Sequence, residues 1–456
     1  MSLEKLLFRK IELWVLLVVV LVGVLGYIGY GGLILEQVQG DKRLGKLGMV
    51  ALDVAELPGD IEQLLRGKDP MMVRSQGADP GLKGWSWSQD GGGAGLPGYW
   101  MLGHFDVEQQ RSLIDMVRLS DGKVMHSWAP DIDDLLADAP RTSAVAEFAN
   151  WRTAKFKPYQ PWLMPNGDLI VKDDHTPLLR LDGCSRKVWR QDATLFHHST
   201  ESDGEGGFWI PSIVEPSHVS GLPAHFFDDA LTHVAADGRI LAQISLPELL
   251  LRKDMAYFLF PPGVYVEDPL HLNDIQPVLS DGPYWKKGDL FISLRLRSTI
   301  LLYRPSTDQI VWMKEGPWMG QHDVDILDDH RIAVFDNRAQ HRKDGMIIGT
   351  SDIDVYDFAT GAISRPYHDL MAGAQVKSLY EGQFTILPGG NLIVEDHNSG
   401  RVLIFAPDGR KLGEFINRNP NGKVYEIGWG RYIAQADGDA ALKALATLDC
   451  GGQPAP

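Results

Sequence analysis

Between residues 98 and 433, short runs of alternating apolar and polar positions are separated by turn residues, a pattern typical of β-strands. One phrase, two alternating runs around a tight polar turn, occurs six times, as in MVRLSDGKVMHSW and VLIFAPDGRKLGEF. A second phrase with its own turn, such as WLMPNGDLIV, precedes most copies. Two hairpins per repeat make four strands, so the pattern predicts an all-β fold, a six-bladed β-propeller. The turn residues of the six copies are Gly122, Gly183, Gly238, Asp308, Gly361 and Gly409.

The N-terminal pattern is different. An uncharged apolar stretch of 23 residues begins at Leu13 and ends at Leu35, which is enough to span a bilayer as a helix. It is too long for the apolar core of a cleaved signal peptide, and no A-x-A-like site follows it. Lys5, Arg9 and Lys10 precede it, so we expect the N-terminus in the cytoplasm and the bulk of the chain in the periplasm, as a single-pass inner-membrane protein.

Small residues recur inside this predicted transmembrane helix. Such residues let membrane helices approach closely, which favours self-association or a membrane-protein partner. Glycine is also common in membrane helices without a partner, so both interpretations stay open. The residues are Gly23, Gly26, Gly29 and Gly32.

We therefore divide the chain into five parts. A helix is expected around residues 60–65 of the tether, and another in the alanine-rich stretch 434–448. The parts are a cytoplasmic N-terminus (1–12), a transmembrane helix (13–35), a periplasmic tether (36–97), the propeller (98–433) and a C-terminal tail (434–456).

Charge and cysteine content narrow the classes of partner. The formal net charge is −16 and no basic run occurs, which argues against a nucleic-acid partner. Cys184 and Cys450 cannot make a disulfide framework, and their spacing matches no zinc motif. One bridge between them would clamp the tail to the outer rim of the propeller, but an exported protein does not require it, so bridged and separate cysteines stay open.

In a propeller the innermost strand of each blade lines the channel, so the residues just before it converge on one mouth. The third, fourth and fifth repeats place histidine there, while the second and sixth offer Tyr159 with Gln160 and Glu381 with Gln383. The histidines are His197, His198, His271 and His322. The ends of the second strands should reach the same mouth with Arg295, Asp336, Asn337, Asp396 and His397.

A single histidine at a strand start is usually structural, but three in equivalent positions with an arginine indicate a site. A guanidinium matches the oxygens of a tetrahedral anion such as sulfate, and neutral imidazole serves as nucleophile or general acid. Gln321 and Asp323 flank His322 as candidate orienting groups. His197 and His198 could instead be a metal-ligand pair with Asp323 as the carboxylate, although we predict no metal and no cofactor.

The stretch 268–337, with DPLHLND, SLRLRS and GQHDVD, resembles the bacterial arylsulfotransferase family. The likeness is diffuse over about 159–430 and does not cover the anchor or the tether. It implies a six-bladed propeller that moves sulfuryl groups from an aryl sulfate donor to a phenolic acceptor without a nucleotide donor. His271, Arg295 and His322 match the family's motifs in order, which implies that His322 becomes sulfated. His197 or His198 matches a further family histidine, often written H-H-D; here Ser199 follows the pair, so the choice stays open.

Three functions follow from these patterns. The first is a membrane-anchored sulfotransferase in which Arg295 and His271 hold the sulfuryl oxygens and His198 or His197 protonates the leaving phenolate. The second is a non-catalytic propeller that acts as a scaffold or ligand-binding subunit of an envelope complex. The third is a metal-dependent lactonase or hydrolase on the same fold.

Overall fold

In a computed structural model of the protein, the N-terminal apolar segment forms one continuous helix, Leu13–Val38. Its Leu13–Ile34 part is long and apolar enough to cross a membrane, a test that a signal sequence near the N-terminus also passes. The predicted helix at residues 60–65 lies outside the described residues. The chain divides into two compact units, Met1–Asp69 and Pro70–Pro456. The structure describes residues 12–38, 47, 50–51, 54–55, 72–73, 80–88, 92–140, 151–217, 219–223, 226–260, 266–340, 346–347 and 349–450.

The second unit is built from antiparallel sheets of about four strands each, which confirms the propeller fold. The first strands along the chain are β1 (Met72–Val73), β2 (Gly84–Trp87), β3 (Tyr99–Asp106), β4 (Arg111–Arg118) and β5 (Lys123–Trp128). The next two groups of four are β6 (Trp162–Leu163), β7 (Leu169–Val171), β8 (Thr176–Leu181) and β9 (Lys187–Phe196), then β10 (Glu201–Ser202), β11 (Gly207–Ile213), β12 (Asp229–Ala235) and β13 (Ile240–Ser245).

The fourth and fifth groups each form a separate sheet in the order of pairing. The fourth group is β14 (Leu272–Pro277), β15 (Leu290–Leu294), β16 (Thr299–Arg304) and β17 (Gln309–Glu315). The fifth region contains β18 (His322–Ile326), β19 (Arg331–Asp336), β20 (Ala339–Gln340), β21 (Met346–Ile347), β22 (Asp352–Asp357) and β23 (Ile363–Ser364), in which β20 and β21 pair only with each other.

The last strands complete the ring. They are β24 (Gln383–Ile386), β25 (Leu392–Asp396), β26 (Arg401–Phe405), β27 (Lys411–Ile416), β28 (Val424–Tyr425) and β29 (Arg431–Ile433). Strand β29 pairs with β3, so the two ends of the propeller share one sheet, β29-β3-β4-β5. Strand β2 pairs with β27 and extends the sixth group to five strands, while β1 pairs with β28.

Among the described strands, the large sheets number five instead of six. The reason is that the end of β9 pairs with the end of β11, with Phe196 opposite Ser212, whereas β10 pairs nearer the start of β11. This pairing joins the second and third groups into one eight-stranded sheet. Divided at that junction, the strands of these large sheets form six groups, five of four strands and the last of five, which we number as blades 1 to 6 from the β29-β3-β4-β5 sheet onward.

Short helices lie between the blades and in the C-terminal tail. They are Ile132–Leu135, Leu246–Arg252, His368–Gly373 and Gln435–Leu445, with 3-10 turns at Thr153–Lys155, Ala256–Phe258, Arg295–Arg297, Pro305–Thr307 and His397–Ser399. The helix Gln435–Leu445 confirms the helical tail. Apolar side chains from facing sheets fill the space between blades, and Trp100, Trp128, Trp318 and Trp429 are among the largest fully buried ones.

The tail is fixed to the outer rim, and the structure resolves the open question about the cysteines. Cys184 and Cys450 form a disulfide with their Cα atoms 5.5 Å apart. Gly183 is not the left-handed residue of its turn, a position that Ser185 takes with φ 62°. Instead, a Cβ on Gly183 would collide with Leu445 and Leu448 of the tail. This glycine therefore permits close packing of the tail.

Candidate active site

The predicted slot before each inner strand has a shared backbone conformation. In blades 2 to 6 one non-glycine residue there has a positive φ, a conformation that side-chain-bearing residues adopt rarely. Residues held in this way cluster at functional sites, because the surrounding fold must impose them. These residues are Gln160 (φ 39°), His198 (50°), His271 (54°), Asp323 (51°) and Glu381 (58°).

The rings of three predicted histidines meet around His198. Its ring centroid lies 5.1 Å from that of His271 and 6.2 Å from that of His322. The fully buried Trp429 closes one side, at 6.0 Å from His198 and 5.8 Å from His322. We call His198, His271, His322 and Arg295 the histidine site.

The hydrogen bonds of His322 define its tautomer. The Asn337 amide nitrogen donates to the carbonyl oxygens of Ser378 (3.1 Å) and Glu381 (2.7 Å), so the Asn337 Oδ1 must face the ring. This oxygen lies 2.8 Å from His322 Nδ1 and accepts its hydrogen. His322 Nε2 then has a lone pair, and it accepts a bond from the Glu381 backbone N–H at 3.2 Å.

His322 is a neutral imidazole. Burial, followed by the charge of Arg295, lowers the pKa of His322 well below its usual value. Gln321 and Asp323, the predicted orienting groups, do not contact the ring: Gln321 Nε2 donates to Ser293 Oγ (3.1 Å) and Asp323 accepts from a neighbouring blade. The orienting group is Asn337, which sequence reasoning placed at the mouth without that role.

Arg295 and His271 are held next to each other. The Arg295 backbone N–H donates to the His271 carbonyl oxygen at 3.1 Å, and only 7% of Arg295 is exposed. Burial lowers the Arg295 pKa, while the charges of Asp268 and Glu381 act in the opposite direction. Asp268 binds His271 twice, at its backbone N–H (2.9 Å) and at Nδ1 (2.5 Å), so Nε2 is the ring nitrogen that Asp268 does not use.

The structure distinguishes the two adjacent histidines. His198 enters the histidine site, whereas His197 lies behind it, with its ring stacked on that of His175 at 5.0 Å. The two Nδ1 atoms are 2.9 Å apart, and His197 Nε2 is 3.4 Å from Asp229 Oδ1. Burial lowers the pKa of His197 to about 3 and that of His198 well below its usual value.

A charged wall lines the blade 6 side. Glu381 accepts hydrogen bonds from Tyr159 Oη (2.5 Å) and Lys157 Nζ (3.0 Å), and its other oxygen contacts His397 Nε2. Burial acts to raise the pKa of Glu381, but the neighbouring His397 and Lys157 lower it overall. Glu381 therefore stays ionised, and its negative charge compensates the positive charge of Lys157.

Two predicted mouth residues have structural partners instead. Asp336 accepts backbone hydrogen bonds from Met319 (2.8 Å) and Arg338 (3.1 Å). Asp396 Oδ2 accepts from Arg401 Nε at 2.9 Å. Their buried carboxylates hold loops in place.

The carboxylate next to the histidine pair is Asp174, not Asp323 as expected from the sequence. Asp174 Oδ1 lies 3.8 Å from His198 Nδ1 and 3.2 Å from His175 Nδ1. Asp174 and His175 follow β7, the second strand of blade 2. The sequence VKDDH there is similar to FDN and EDH at the ends of the second strands of other blades. The expectation that second-strand ends reach the channel mouth therefore also applies to Asp174 and His175.

Comparisons with known proteins give one family match and several weak structural likenesses. The family model described as Arylsulfotransferase (ASST) matches residues 160–418. No curated protein matches the sequence. A protein of unknown function from Bacteroides caccae is 11% identical, with a TM-score of 0.46, over 74% of this chain and 99% of its own. TolB from Acinetobacter baumannii is 9% identical, with a TM-score of 0.41, over 74% of this chain and 66% of its own. Virginiamycin B lyase from Staphylococcus aureus is 12% identical, with a TM-score of 0.32, over 57% of this chain and 69% of its own. Likeness at this level supports no functional argument.

Proposed function

Because this chain belongs to the arylsulfotransferase family, we propose that it moves a sulfuryl group from an aryl sulfate to a phenolic acceptor through a sulfated His322. The observation that carries this proposal is the convergence of His198, His271 and His322 around one point beside Arg295. A membrane anchor and the sulfo-histidine step are parts of the proposal.

In the first half-reaction, His322 Nε2 attacks the sulfur of the aryl sulfate. The new N–S bond forms as the S–O bond to the aryl group breaks, and the bonding electrons leave with the phenolate oxygen. Asn337 supports this step because it holds the hydrogen on Nδ1 and so keeps the Nε2 lone pair available. The long bond from the Glu381 N–H must be released, which leaves that donor beside the transferring group.

Arg295 and His271 stabilise the charge on the sulfuryl oxygens. The guanidinium offers several donors in one plane, and a buried donor acts more strongly than the same group in water. Asp268 binds His271 through Nδ1, so the Nε2 of His271 is the ring nitrogen that can contact a sulfuryl oxygen. Both residues then bind the group more strongly as negative charge accumulates.

His198 protonates the departing phenolate. It does so from Nε2 as an imidazolium, a form that the bound aryl sulfate anion favours, while its Nδ1–H donates to His197 Nδ1 at 2.9 Å. In the second half-reaction a phenol returns its proton to His198 and attacks the sulfur, and the N–S bond to His322 breaks. His197 is thus a positioning residue.

A chromogenic aryl sulfate and a phenol test the activity. His322→Ala should reduce turnover by more than about 10³-fold with the near-ultraviolet spectrum unchanged, as loss of a nucleophile does in other enzymes. With the donor alone, mass spectrometry should show one sulfuryl group on His322. His330→Ala, which changes a partly exposed residue in the turn between β18 and β19, is the control and should keep full activity.

Two results would contradict the proposal. If His322→Ala retains the wild-type rate, the nucleophile is another group. If the wild-type chain transfers no sulfuryl group from any aryl sulfate tested, a non-catalytic binding propeller becomes the better interpretation of the same fold.

The helix Leu13–Val38 supports the proposed anchor. We place the segment from Leu13 to Leu35 across the inner membrane, with Lys5, Arg9 and Lys10 in the cytoplasm and the propeller in the periplasm. Protease added to intact spheroplasts should digest the propeller and leave the N-terminus intact. Protection of the whole chain would overturn this topology. Gly23, Gly26, Gly29 and Gly32 would let a partner helix, or the same helix of a second copy, approach closely.

A further inference from the structure

We propose that Asp174, His197 and His198 form a binding site for a divalent transition-metal ion such as Zn²⁺. One ligand atom of each residue lies within 4.8 Å of the ligand atoms of the other two. Two blades contribute: Asp174 follows β7 of blade 2, and the histidines precede β10 of blade 3.

The spacing of the imidazoles fits an ion. His197 Nδ1 and His198 Nδ1 face each other at 2.9 Å. Two nitrogen ligands at tetrahedral angles around Zn²⁺ lie about 3.3 Å apart, given metal–nitrogen distances of roughly 2.0–2.1 Å. A separation of a few tenths of an ångström would therefore admit the ion. Asp174 Oδ1, at 3.8 Å from His198 Nδ1, lies within reach of the same point.

Coordination would also satisfy the remaining ring nitrogen of His197. With both Nδ1 lone pairs on the metal, each ring carries its hydrogen on Nε2. His197 Nε2 is 3.4 Å from Asp229 Oδ1, so that carboxyl group can accept the hydrogen. Metal-ligating histidines nearly always have such an oxygen partner at the second nitrogen.

The surroundings of Asp174 point to an open site. His175 Nδ1 contacts the ligand oxygen of Asp174 at 3.2 Å and its ring stacks on His197, which fixes both ligands. The Asp174 side chain is 43% exposed, whereas His197 and His198 are buried. Three protein ligands with one side open are typical of zinc sites that bind water or substrate. Two nitrogens and one oxygen favour zinc and similar metals over calcium or magnesium.

A second cluster provides a matched contrast. Asp328, Asp329 and His330 also bring ligand atoms within 4.8 Å of one another. They are consecutive residues in the turn between β18 and β19, and Asp328 is already paired with Arg331 at 2.7 Å. Solvent-exposed clusters of this kind are common without a metal, so we assign no ion to this turn.

A metal ion on the two Nδ1 atoms replaces the hydrogen bond between them, so the metal-bound form differs from the form in which His197 positions His198. Metal binding is measured without turnover. The test uses the full chain in detergent, with any affinity tag removed, dialysed against chelator and then titrated with Zn²⁺. Wild type should bind about one equivalent, as a single three-ligand site requires. His197→Gln and Asp174→Asn should weaken binding by at least the roughly 10- to 100-fold that loss of a ligand's hydrogen-bond partner costs.

His330→Gln is the control and should bind Zn²⁺ like wild type. Equal thermal unfolding of all variants without metal would show that the fold is kept; Asp174→Asn is the safer variant because its side chain is half exposed. Co²⁺ in place of Zn²⁺ should give visible absorption that the two site variants lose. The proposal is overturned if wild type retains no metal, or if His330→Gln alone abolishes binding.

Discussion

His322 and Asp323 are neighbours at the start of β18, but their side chains serve different parts of the channel. The His322 ring faces the histidine site with its Nε2 lone pair engaged only by a long backbone contact of 3.2 Å. Asp323 Oδ2 accepts a 2.9 Å hydrogen bond from the Phe384 N–H in blade 6. One residue keeps an atom available for chemistry, and the other links two blades.

The same kind of link occurs between every pair of adjacent blades in the described structure. In each case a side chain or carbonyl near an inner strand accepts the backbone N–H of another blade, which would otherwise be buried without a partner. The contacts, called blade-linking contacts below, are Gln160 N to Trp429 O, Thr200 N to Gln160 Oε1, Ile275 N to Ser199 Oγ, Val324 N to Asp274 Oδ2, Phe384 N to Asp323 Oδ2 and Gly430 N to Glu395 Oε2.

This difference separates polar residues that close the ring from those that can act on a ligand. Burial is not the criterion, because His322 and Asp323 are both buried. The criterion is how closely the polar atoms are held by backbone groups of another blade, at 2.9 Å for Asp323 Oδ2 and 3.2 Å for His322 Nε2. Substitutions in the histidine site should therefore change activity, and substitutions in the blade-linking contacts should change stability.

After His322→Ala, the largest expected effect concerns Arg295. Arg295→Lys keeps a positive charge but loses the planar set of donors, so kcat should fall by about 10²- to 10³-fold, the cost of losing one such donor in other enzymes. The midpoint of unfolding should change little. A variant with wild-type kcat would show that Arg295 does not contact the transferring group.

A smaller effect is expected from Asp323. Asp323→Ala leaves the Phe384 N–H without its acceptor and should reduce the free energy of unfolding by about 1–3 kcal/mol. Burial, followed by nearby Asp325 and Asp274, raises the pKa of Asp323 well above its usual value, which favours the uncharged form. Asp323→Asn should therefore be close to wild type. Denaturant unfolding of both variants checks this, and equal losses would refute the blade-linking role.

The sequence predicted the blades and the convergence of slots well because both depend on local, repeated patterns. The six phrases fix which residues precede each inner strand, and His271 and His322 follow from that alone. The choice between His197 and His198 depends on the left-handed backbone of His198, which no local signal specified. The blade-linking contacts were also missed. They depend on how one blade faces the next, and residues such as Asp274 and Val324 are far apart in sequence.

The last expected effect is a change in how stability depends on pH, and it concerns Asp274. Burial, followed by the nearby charge of Glu201, raises the pKa of Asp274 to about 8. In the unfolded chain this carboxyl group has an ordinary pKa of about 4. Between these values the folded chain binds a proton that the unfolded chain has released, so stability decreases as pH rises, by at most about 1.4 kcal/mol per pH unit.

Asp274→Asn should remove this contribution, because an amide accepts the Val324 N–H without titrating. Wild type and variant should be similar near pH 4, and the variant should become progressively more stable as pH approaches 8. Asp325 and Glu201 lie near Asp274 and are unchanged in the variant, so their own titration appears in both proteins. Denaturant midpoints across this range give the comparison. Parallel pH profiles would mean that Asp274 is ionised in the folded state, and that its link to blade 5 is a charged one.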